Sequence, residues 1–575
     1  MKKRDIARRT IRDDRFDLCI IGGGATGLGC ALDAQLRGKR TVLVEAGDFI
    51  SQTSSASTKL VHGGVRYLQI AAASLDYGQF RMVRKALQER RHMLEAAPYL
   101  AHPVELLVPC FSAWEQFYYG AGLKAYDVIA GKARIFPSRI LSRRLTLERL
   151  PALRRDRLFG AVTYADGQFD DARYGMALAQ SFARLNGELL NYTRVVDMER
   201  DRDGGLTGVV VEDMLSGERF SIAARVTLNC TGPFSDHIRQ MANPSLPSRL
   251  RLSKGIHILL PMQAMRGDAA LLIPKTEDGR LIFALPWNGS LLVGTTEDEI
   301  ASDEEAAANA KEIEYLLRYV NRYLDMRWTP ADVQSVFAGV RPLVASAGNG
   351  NTQRLIRDHE IEVDRRSGLV SVLGGKWTTY RAMAEDGVNA ALRVCGDAPV
   401  PARTLRYPLD GSEGYCSGYW QKLAGRHGIS DPTAEHLAQK FGARSQEILS
   451  LIESDPSLAA PLCAGSPAIA AEVVYSVREE MAQTIEDVLA RRIGVQFHNL
   501  QQARAAAPAV GERMAVELGW TAQQTTQAIA EYQARIDRLL RLAGLPPASL
   551  GPSAAGPELD LKGPGEDHAG LHWSH

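Results

Sequence analysis

The sequence predicts an α/β protein in which a nucleotide-binding sheet is interrupted by a mixed-sheet domain and followed by an α-helical domain. Residues 15–48, RFDLCIIGGGATGLGCALDAQLRGKRTVLVEAGD, read as strand, glycine turn, helix, strand. From Leu158 to Thr329 short strand-like runs dominate, among them GVVVEDM, RVTLNCTGP, HILLP, RLIFALPW and SLLVGTTED. Past the Pro/Gly-rich stretch GDAPVPARTLRYPLDGSEG the pattern turns helical.

Length and composition bound the rest. The 575 residues exceed what one core usually holds. Hydrophobic residues at 45% and charged residues at 23% are those of a folded globular chain. A net charge of +1 gives no global field for nucleic acid, and none is expected as a partner. Seven cysteines, an odd number without a CxxC, suggest neither a disulfide framework nor a metal site, and reduced thiols point to a cytoplasmic-type compartment. MKKRDIARRTIRDDRFD begins basic but never develops the apolar stretch of a signal peptide, and no run approaches the ~18 apolar residues of a bilayer span.

The elements follow in order. Leu18–Ile21 is short and apolar, as a buried parallel strand is. Ala31, Leu32 and Leu36 give the next helix its apolar face, and RTVLVEAG is the second strand. DYGQFRMVRKALQERRHMLEAAPYL carries Phe80, Val83, Leu87 and Leu94 at helical spacing. QSVFAGVRPLV, QRLIRDHEIEV and GLVSVLGGKWTTYRAMAEDGVNAAL return to the strand-then-helix style. HLAQKFGARSQEILSLI, EVVYSVREEMAQTIEDVLARRIGV and QAIAEYQARIDRLLRLAGL read as helices. The expected domains are residues 1–400, with the substrate part at roughly 90–150 and 235–345, a helical domain over 401–545, and a Pro/Gly-rich, disordered tail over 546–575.

Gly22, Gly24 and Gly27 form GxGxxG directly after a strand and at a helix start. The first glycine allows the tight turn, the second lets a pyrophosphate approach the backbone, and the third lets helix and strand touch. The helix N-terminus offers N–H groups and a positive dipole end to phosphate. Glu45 ends the second strand 21 residues after Gly24, where a carboxylate holds a ribose hydroxyl and disfavours a 2′-phosphate. The motif alone does not separate FAD from NAD.

Downstream, STKLVHGGVRYLQ places His62, Arg66 and Tyr67 around the Gly63-Gly64 pair: a titratable base, free backbone geometry and a fixed cation within five positions. Together with TSSASTKLVHGGVRYL, the stretches NCTGPF, KGIHILLP, FALPW, VGTTEDE, AGVRPL, IRDHEI, GGKWTTYRAMAE and YSVREEMAQTIEDVLARRIG resemble the FAD-dependent glycerol-3-phosphate dehydrogenase family over about Phe16–Leu540. NCTGPF departs from the family's more usual NATGPW, and Trp377 from an aliphatic residue; neither change removes a polar group.

The resemblance implies a glutathione-reductase-like FAD-binding Rossmann domain with an interleaved mixed-sheet substrate domain and a C-terminal helical domain. It implies FAD as cofactor, oxidation of sn-glycerol 3-phosphate to dihydroxyacetone phosphate, and electrons passed to a membrane quinone. Oxidising a secondary alcohol needs a hydride acceptor, a base, positive charge at the flavin N1/C2=O edge, and cations for the phosphate. His62 is the favoured base, with His257 as the alternative or as a substrate holder. Arg341, Arg66 and Arg357 are the phosphate cations, Tyr67 a further substrate contact, and Lys376 the charge beside the flavin. Taken singly, each arginine is more often a structural salt bridge or surface charge and each histidine a hydrogen-bonded structural residue, Tyr67 equally packs, and Lys376 is evenly balanced with a surface lysine at a turn; the match to the family favours the site.

The cofactor set takes in Gly22, Gly24, Gly27, Glu45, Ala46, Ser54, Ser55, Ser57, Lys59, Val196, Thr231, Gly232, Gly375, Lys376, Trp377 and Thr378. AWEQFYYGAGLKAYDVIAGKARIFPSRILSRR mixes aromatics with basic residues, as a helix lying in a membrane interface does, and equally as a core helix with a basic loop. The resemblance tips this toward peripheral attachment at the inner face of the cytoplasmic membrane, and a homodimer is the assembly considered. The rival readings are a glycerol-3-phosphate oxidase using O2, a D-amino-acid or amine oxidase, and a non-catalytic FAD sensor.

Overall fold

The computed structural model describes residues 1, 4–64, 77–262, 265, 267, 269–301, 306–345, 359–424 and 428–547. Arg66, Tyr67, Arg357 and, from residue 548, the tail expected to be disordered lie outside the described residues.

The nucleotide motif builds the first sheet. Arg15–Ile21 runs parallel to Thr41–Val44 on one side and to Arg219–Asn229 on the other. Glu188–Leu190 extends it past Thr41–Val44, and Val370–Gly374 past Arg219–Asn229, again in parallel. The strands His359–Val363, Leu206–Asp213 and Thr193–Arg200 join it antiparallel. Leu18, Cys19 and Ile20 are fully buried, as central parallel strands sandwiched by helices must be. The helix Ala25–Leu36 packs on Tyr380–Val394, and a Cβ on Gly29 would stand 2.9 Å from the Tyr380 ring. The N-terminal helix Arg4–Asp13 is anchored to the sheet by Arg4, whose Nη1 lies 2.9 Å from Asp213 Oδ2.

The second sheet is mostly antiparallel. Leu250–Pro261 lies between Ser335–Val344 and Ser290–Gly294, followed by Ile282–Trp287 and Ala270–Ile273. Ala270–Ile273 then pairs in parallel with Ala101–Cys110, next to Gly160–Phe169. Gly160–Phe169 and the two-residue strand Leu60–Val61 fall outside the 90–150 and 235–345 stretches expected for this sheet. GAVTYADGQF lacks the Val/Ile run that marks a buried strand, yet every residue of it is buried. Leu60–Val61 matters for the site, because the chain leaves the first sheet there, pairs with Gly167 and Gln168, and emerges at His62.

The helical region past residue 401 divides. Tyr419, Leu437, Phe441, Leu449 and Tyr475 share one core. Val488, Leu489, Ala503, Val510, Ile536 and Leu540 instead pack into the core of the second sheet, with Ile256, Ile258 and Val336. The two long helical patterns are broken. Gly442 (φ 57°) separates Asp431–Phe441 from Ser445–Ser454, and Met481 (φ 52°) ends Ala470–Glu480 before a single wide turn at Asp487–Arg492. The aromatic-basic stretch is likewise a helix only over Ala113–Ala130; Arg139–Ser142 is a strand of the second sheet.

Candidate active site and cofactor cleft

The glycine turn is packed to contact. At Gly22 (φ 107°) a Cβ would stand 2.6 Å from the Cys230 carbonyl oxygen, and at Gly27 it would stand 1.8 Å from the Gly22 oxygen. Only glycine fits either place. The helix starts at Gly24 with no side-chain cap, and the Ala25 N–H donates to Ser54 Oγ at 3.0 Å. Glu45 closes the rim, its two oxygens accepting from the Gly23 N–H at 2.6 Å and the Gly47 N–H at 2.8 Å. Burial raises its carboxyl pKa more than those two N–H groups lower it. Ala46 is exposed beside it. Val196 stands at a bulge, between Val195 opposite Val211 and Asp197 opposite Val210. Thr231, its hydroxyl donating to Asn229 Oδ1 at 2.7 Å, and Gly232 (φ 55°) follow the strand end that touches Gly22.

The loop from Thr53 to Gly64 crosses between the sheets. Ser54 faces the helix start and its carbonyl accepts from Trp377 Nε1 at 2.8 Å. Ser55 Oγ donates to the Gln52 carbonyl at 3.3 Å and Ser57 Oγ to Asp171 Oδ2 at 2.7 Å. Lys59 is fully buried: Nζ pairs with Asp171, donates to the Ser55 carbonyl at 2.7 Å, and lies 4.6–5.1 Å from the rings of Phe497, Trp287 and Phe337. The Lys59 ammonium, expected from sequence at the cofactor, therefore braces this loop from beneath, and the Ser57 hydroxyl does the same.

At the loop's end a cavity of about 290 Å³ opens between the sheets. It gathers His62, His257, Arg341 and the turn Gly375–Thr378. The His62 N–H donates to Thr378 Oγ1 at 3.2 Å, joining the two loops. Gly374 and Gly375 both have positive φ, and a Cβ on Gly375 would stand 2.3 Å from Met383 Cε. Lys376 follows in extended backbone at the cavity wall, ahead of the helical turn Trp377–Thr379.

Arg341 reaches in from Ser335–Val344, donating to Thr295 Oγ1 at 3.0 Å and to the Thr296 carbonyl at 3.4 Å. Gly255, on the neighbouring strand, makes room for it: a Cβ there would stand 2.5 and 2.6 Å from the two guanidinium nitrogens. His257 is buried, stacked on Phe337 at 5.1 Å, with Nε2 2.9 Å from Thr58 Oγ1. Burial first, then the charges of Arg341 and Lys59, hold its pKa well below that of a free histidine, so it is neutral.

Residues 17–385 match the family described as FAD dependent oxidoreductase, and residues 402–525 match the C-terminal domain of alpha-glycerophosphate oxidase. The mitochondrial glycerol-3-phosphate dehydrogenase of Mesocricetus auratus is 39% identical over 517 residues, spanning 88% of this chain and 71% of its own. The chain belongs to the FAD-dependent glycerol-3-phosphate dehydrogenase family. A plant member from Arabidopsis thaliana is 36% identical over 536 residues, covering 90% of this chain and 85% of its own. The fold superposes on the X-ray structure of the glycerol-3-phosphate dehydrogenase from Bacillus halodurans complexed with FAD, with a TM-score of 0.75 and 29% identity over 94% of this chain and 98% of that one.

The family's cofactor, FAD, fits what this chain presents. The glycine cradle at Gly22–Gly27 and the helix start beyond Gly24 suit a pyrophosphate, Glu45 a ribose, and the Gly375–Thr378 turn an electron-rich ring edge. Thr295, Thr296, Arg280 and Phe283 line the cavity too and were not singled out by sequence. The runs SLLVGTTED and RLIFALPW carried them only as parts of strands. Thr295 had one usable signal, a hydroxyl at the end of an apolar strand.

Proposed function

We propose that this protein oxidises sn-glycerol 3-phosphate to dihydroxyacetone phosphate. The observation that carries the reading is that Arg341, His62 and the Gly375–Thr378 turn line one cavity. The guanidinium fork, oriented by Thr295 and Thr296, receives the phosphate dianion, with Arg66, Arg357 and Tyr67 as further proposed contacts. The His62 imidazole takes the C2 hydroxyl proton. Neutral, enclosed His257 suits holding the substrate better than accepting its proton, since its surroundings disfavour the charged ring. Lys376 and the N–H groups of its turn supply positive charge at the cofactor edge. FAD, which Gly22–Gly27, Glu45 and the Gly375–Thr378 turn would hold, would supply the hydride acceptor, with a membrane quinone as the proposed next electron acceptor.

Membrane attachment is supported by the outer face of Ala113–Ala130, where Trp114 is 70% and Phe117 64% exposed, flanked by exposed Lys124, Lys132, Arg134, Arg139, Arg143 and Arg144. No helix among the described residues is long and apolar enough to cross a membrane. We place the protein on the inner face of the cytoplasmic membrane. A second reading, O2 as acceptor, draws on the match of residues 402–525 to an oxidase domain.

Steady-state turnover with a quinone analogue and in an oxygen electrode separates the two. The proposal expects turnover with sn-glycerol 3-phosphate and quinone, and little with glycerol or D-amino acids. Rapid O2 consumption without quinone would favour the oxidase, and turnover of D-amino acids instead would discard the phosphate site.

A further inference from the structure

The stretch YSVREEMAQTIEDVLARRIG has no part in the chemistry above, yet its last two arginines, Arg491 and Arg492, end on Asp48, beside the turn that carries Glu45. Asp48 lies three residues past Glu45 and is buried. Its carboxylate accepts from Arg491 Nε at 2.6 Å, from Arg492 Nη1 at 2.7 Å and Nη2 at 2.8 Å, and from Asn191 Nδ2 at 3.2 Å. Arg492 Nη2 also donates to the Glu480 carbonyl at 2.7 Å, and the Glu480 carboxylate takes a two-pronged bond from Arg173 at 2.8 Å. Arg491 pairs with Asp487 at 2.6 Å. Three arginines thus meet three carboxylates, nearly all out of water.

This cluster grips the turn that carries Glu45. The Gly47 N–H holds Glu45 Oε1, and the Gly47 carbonyl accepts from the Tyr192 N–H at 2.7 Å. The Tyr192 hydroxyl in turn donates to Asp487 Oδ1 at 2.7 Å. The Thr193 N–H donates to the Glu45 carbonyl at 2.7 Å. The 45–48 turn is therefore held on one side by the backbone at Tyr192 and Thr193, and on the other, through Asp48, by arginines some 440 residues away in sequence. A buried charge cluster adds little net stability over apolar packing, but it fixes one geometry sharply.

We propose that Arg491 and Arg492 are positioning residues for FAD: by clamping Asp48 they hold the Glu45–Gly47 turn in the conformation that receives the cofactor's ribose, so the C-terminal helical region completes the cofactor site. The proposal rests on Glu45 as the ribose ligand.

The test measures FAD affinity of the full-length protein, by fluorescence of released FAD, for Glu45→Gln, Asp48→Asn and Arg491→Lys. At a temperature where each matches the parent's far-UV circular dichroism, Asp48→Asn is expected to weaken FAD binding about tenfold or more and Arg491→Lys by less, since it keeps the charge but loses the fork. KM for glycerol 3-phosphate at saturating FAD stays within about twofold, because the cluster lies away from the substrate cavity. Parent-like FAD affinity in Asp48→Asn, with Glu45→Gln weakened, overturns the clamp and leaves the Glu45 reading intact. Parent-like affinity in Glu45→Gln removes the Glu45 reading and the proposal with it. Should Asp48→Asn not fold, Tyr192→Phe, which deletes only the hydroxyl on Asp487, takes its place; weaker FAD binding supports the clamp, and unchanged binding overturns it.

Discussion

Gly63 donates its backbone N–H to the Tyr126 hydroxyl at 2.9 Å, so the loop that presents His62 is held by a residue on the buried face of the helix Ala113–Ala130. The hydroxyl passes its own proton to Asp166 Oδ1 at 2.9 Å, and Asp166 pairs with buried Arg90 at 2.5 Å. A Cβ on Gly63 would stand 2.7 Å from that hydroxyl and from Leu87. Tyr126→Phe leaves a buried N–H unpaired, a loss of about 1–3 kcal/mol. The expected result is a lower melting temperature and a roughly tenfold lower kcat with KM little changed. An unchanged kcat would detach Tyr126 from the His62 loop.

Arg341 needs the space that Gly255 leaves. Arg341→Ala removes charge-assisted hydrogen bonds of about 1.5–3 kcal/mol each and should raise KM on the order of 100-fold with FAD retained. Gly255→Ala pushes a methyl against the guanidinium and Thr295 Oγ1 without removing charge, and should raise KM about tenfold. Kinetics on the yellow, FAD-loaded variants check both; normal KM in Arg341→Ala would take the residue out of the phosphate site.

The glycine motif makes two different demands. A Cβ on Gly24 would stand 3.0 Å from Ser54 Oγ, on the rim itself, so Gly24→Val should give a folded, colourless protein. Gly27→Ala drives its methyl into the Gly22 carbonyl and should lower stability by at least about 2 kcal/mol. Absorbance at the flavin band and chemical denaturation tell the two apart, and a normally yellow Gly24→Val protein counts against the pyrophosphate seat.

His257 gives the fold a pH dependence. Its native pKa is depressed, so below pH 6.5 the unfolded chain takes up a proton that the folded chain refuses. Stability is therefore whole above that pH and is lost as pH falls toward the native value. The contribution is about 1 kcal/mol between pH 6.5 and 5.5, and His257→Gln should flatten the dependence by that amount in urea titrations at the two pH values. An equal slope in the variant would mean that His257 is protonated in the native protein.

Much of the architecture was legible because glycine chemistry is local. Gly22, Gly24, Gly27 and Glu45 announce their turn within thirty residues, and the Gly374–Gly375 turn announces the second face of the cleft. Tyr126, Asp166 and Arg90 were not legible, since helical spacing tells which face is buried but not what lies against it. Lys59 misled for the same reason: a lysine in a polar loop reads as solvent- or ligand-facing, and only the fold reveals Asp171 and three rings beneath it. The break at Met481 was hidden inside a run of good helix formers, and Arg491 and Arg492 found their partner on the far side of the chain.

The most direct test is an anaerobic titration of the FAD-loaded protein with sn-glycerol 3-phosphate, followed in the flavin absorbance band. The account predicts full bleaching by the substrate, none by glycerol or D-amino acids, and a much higher substrate requirement in Arg341→Ala. A flavin that dithionite reduces but sn-glycerol 3-phosphate leaves oxidised would contradict it, and the Arg341 cavity would then belong to a different anion.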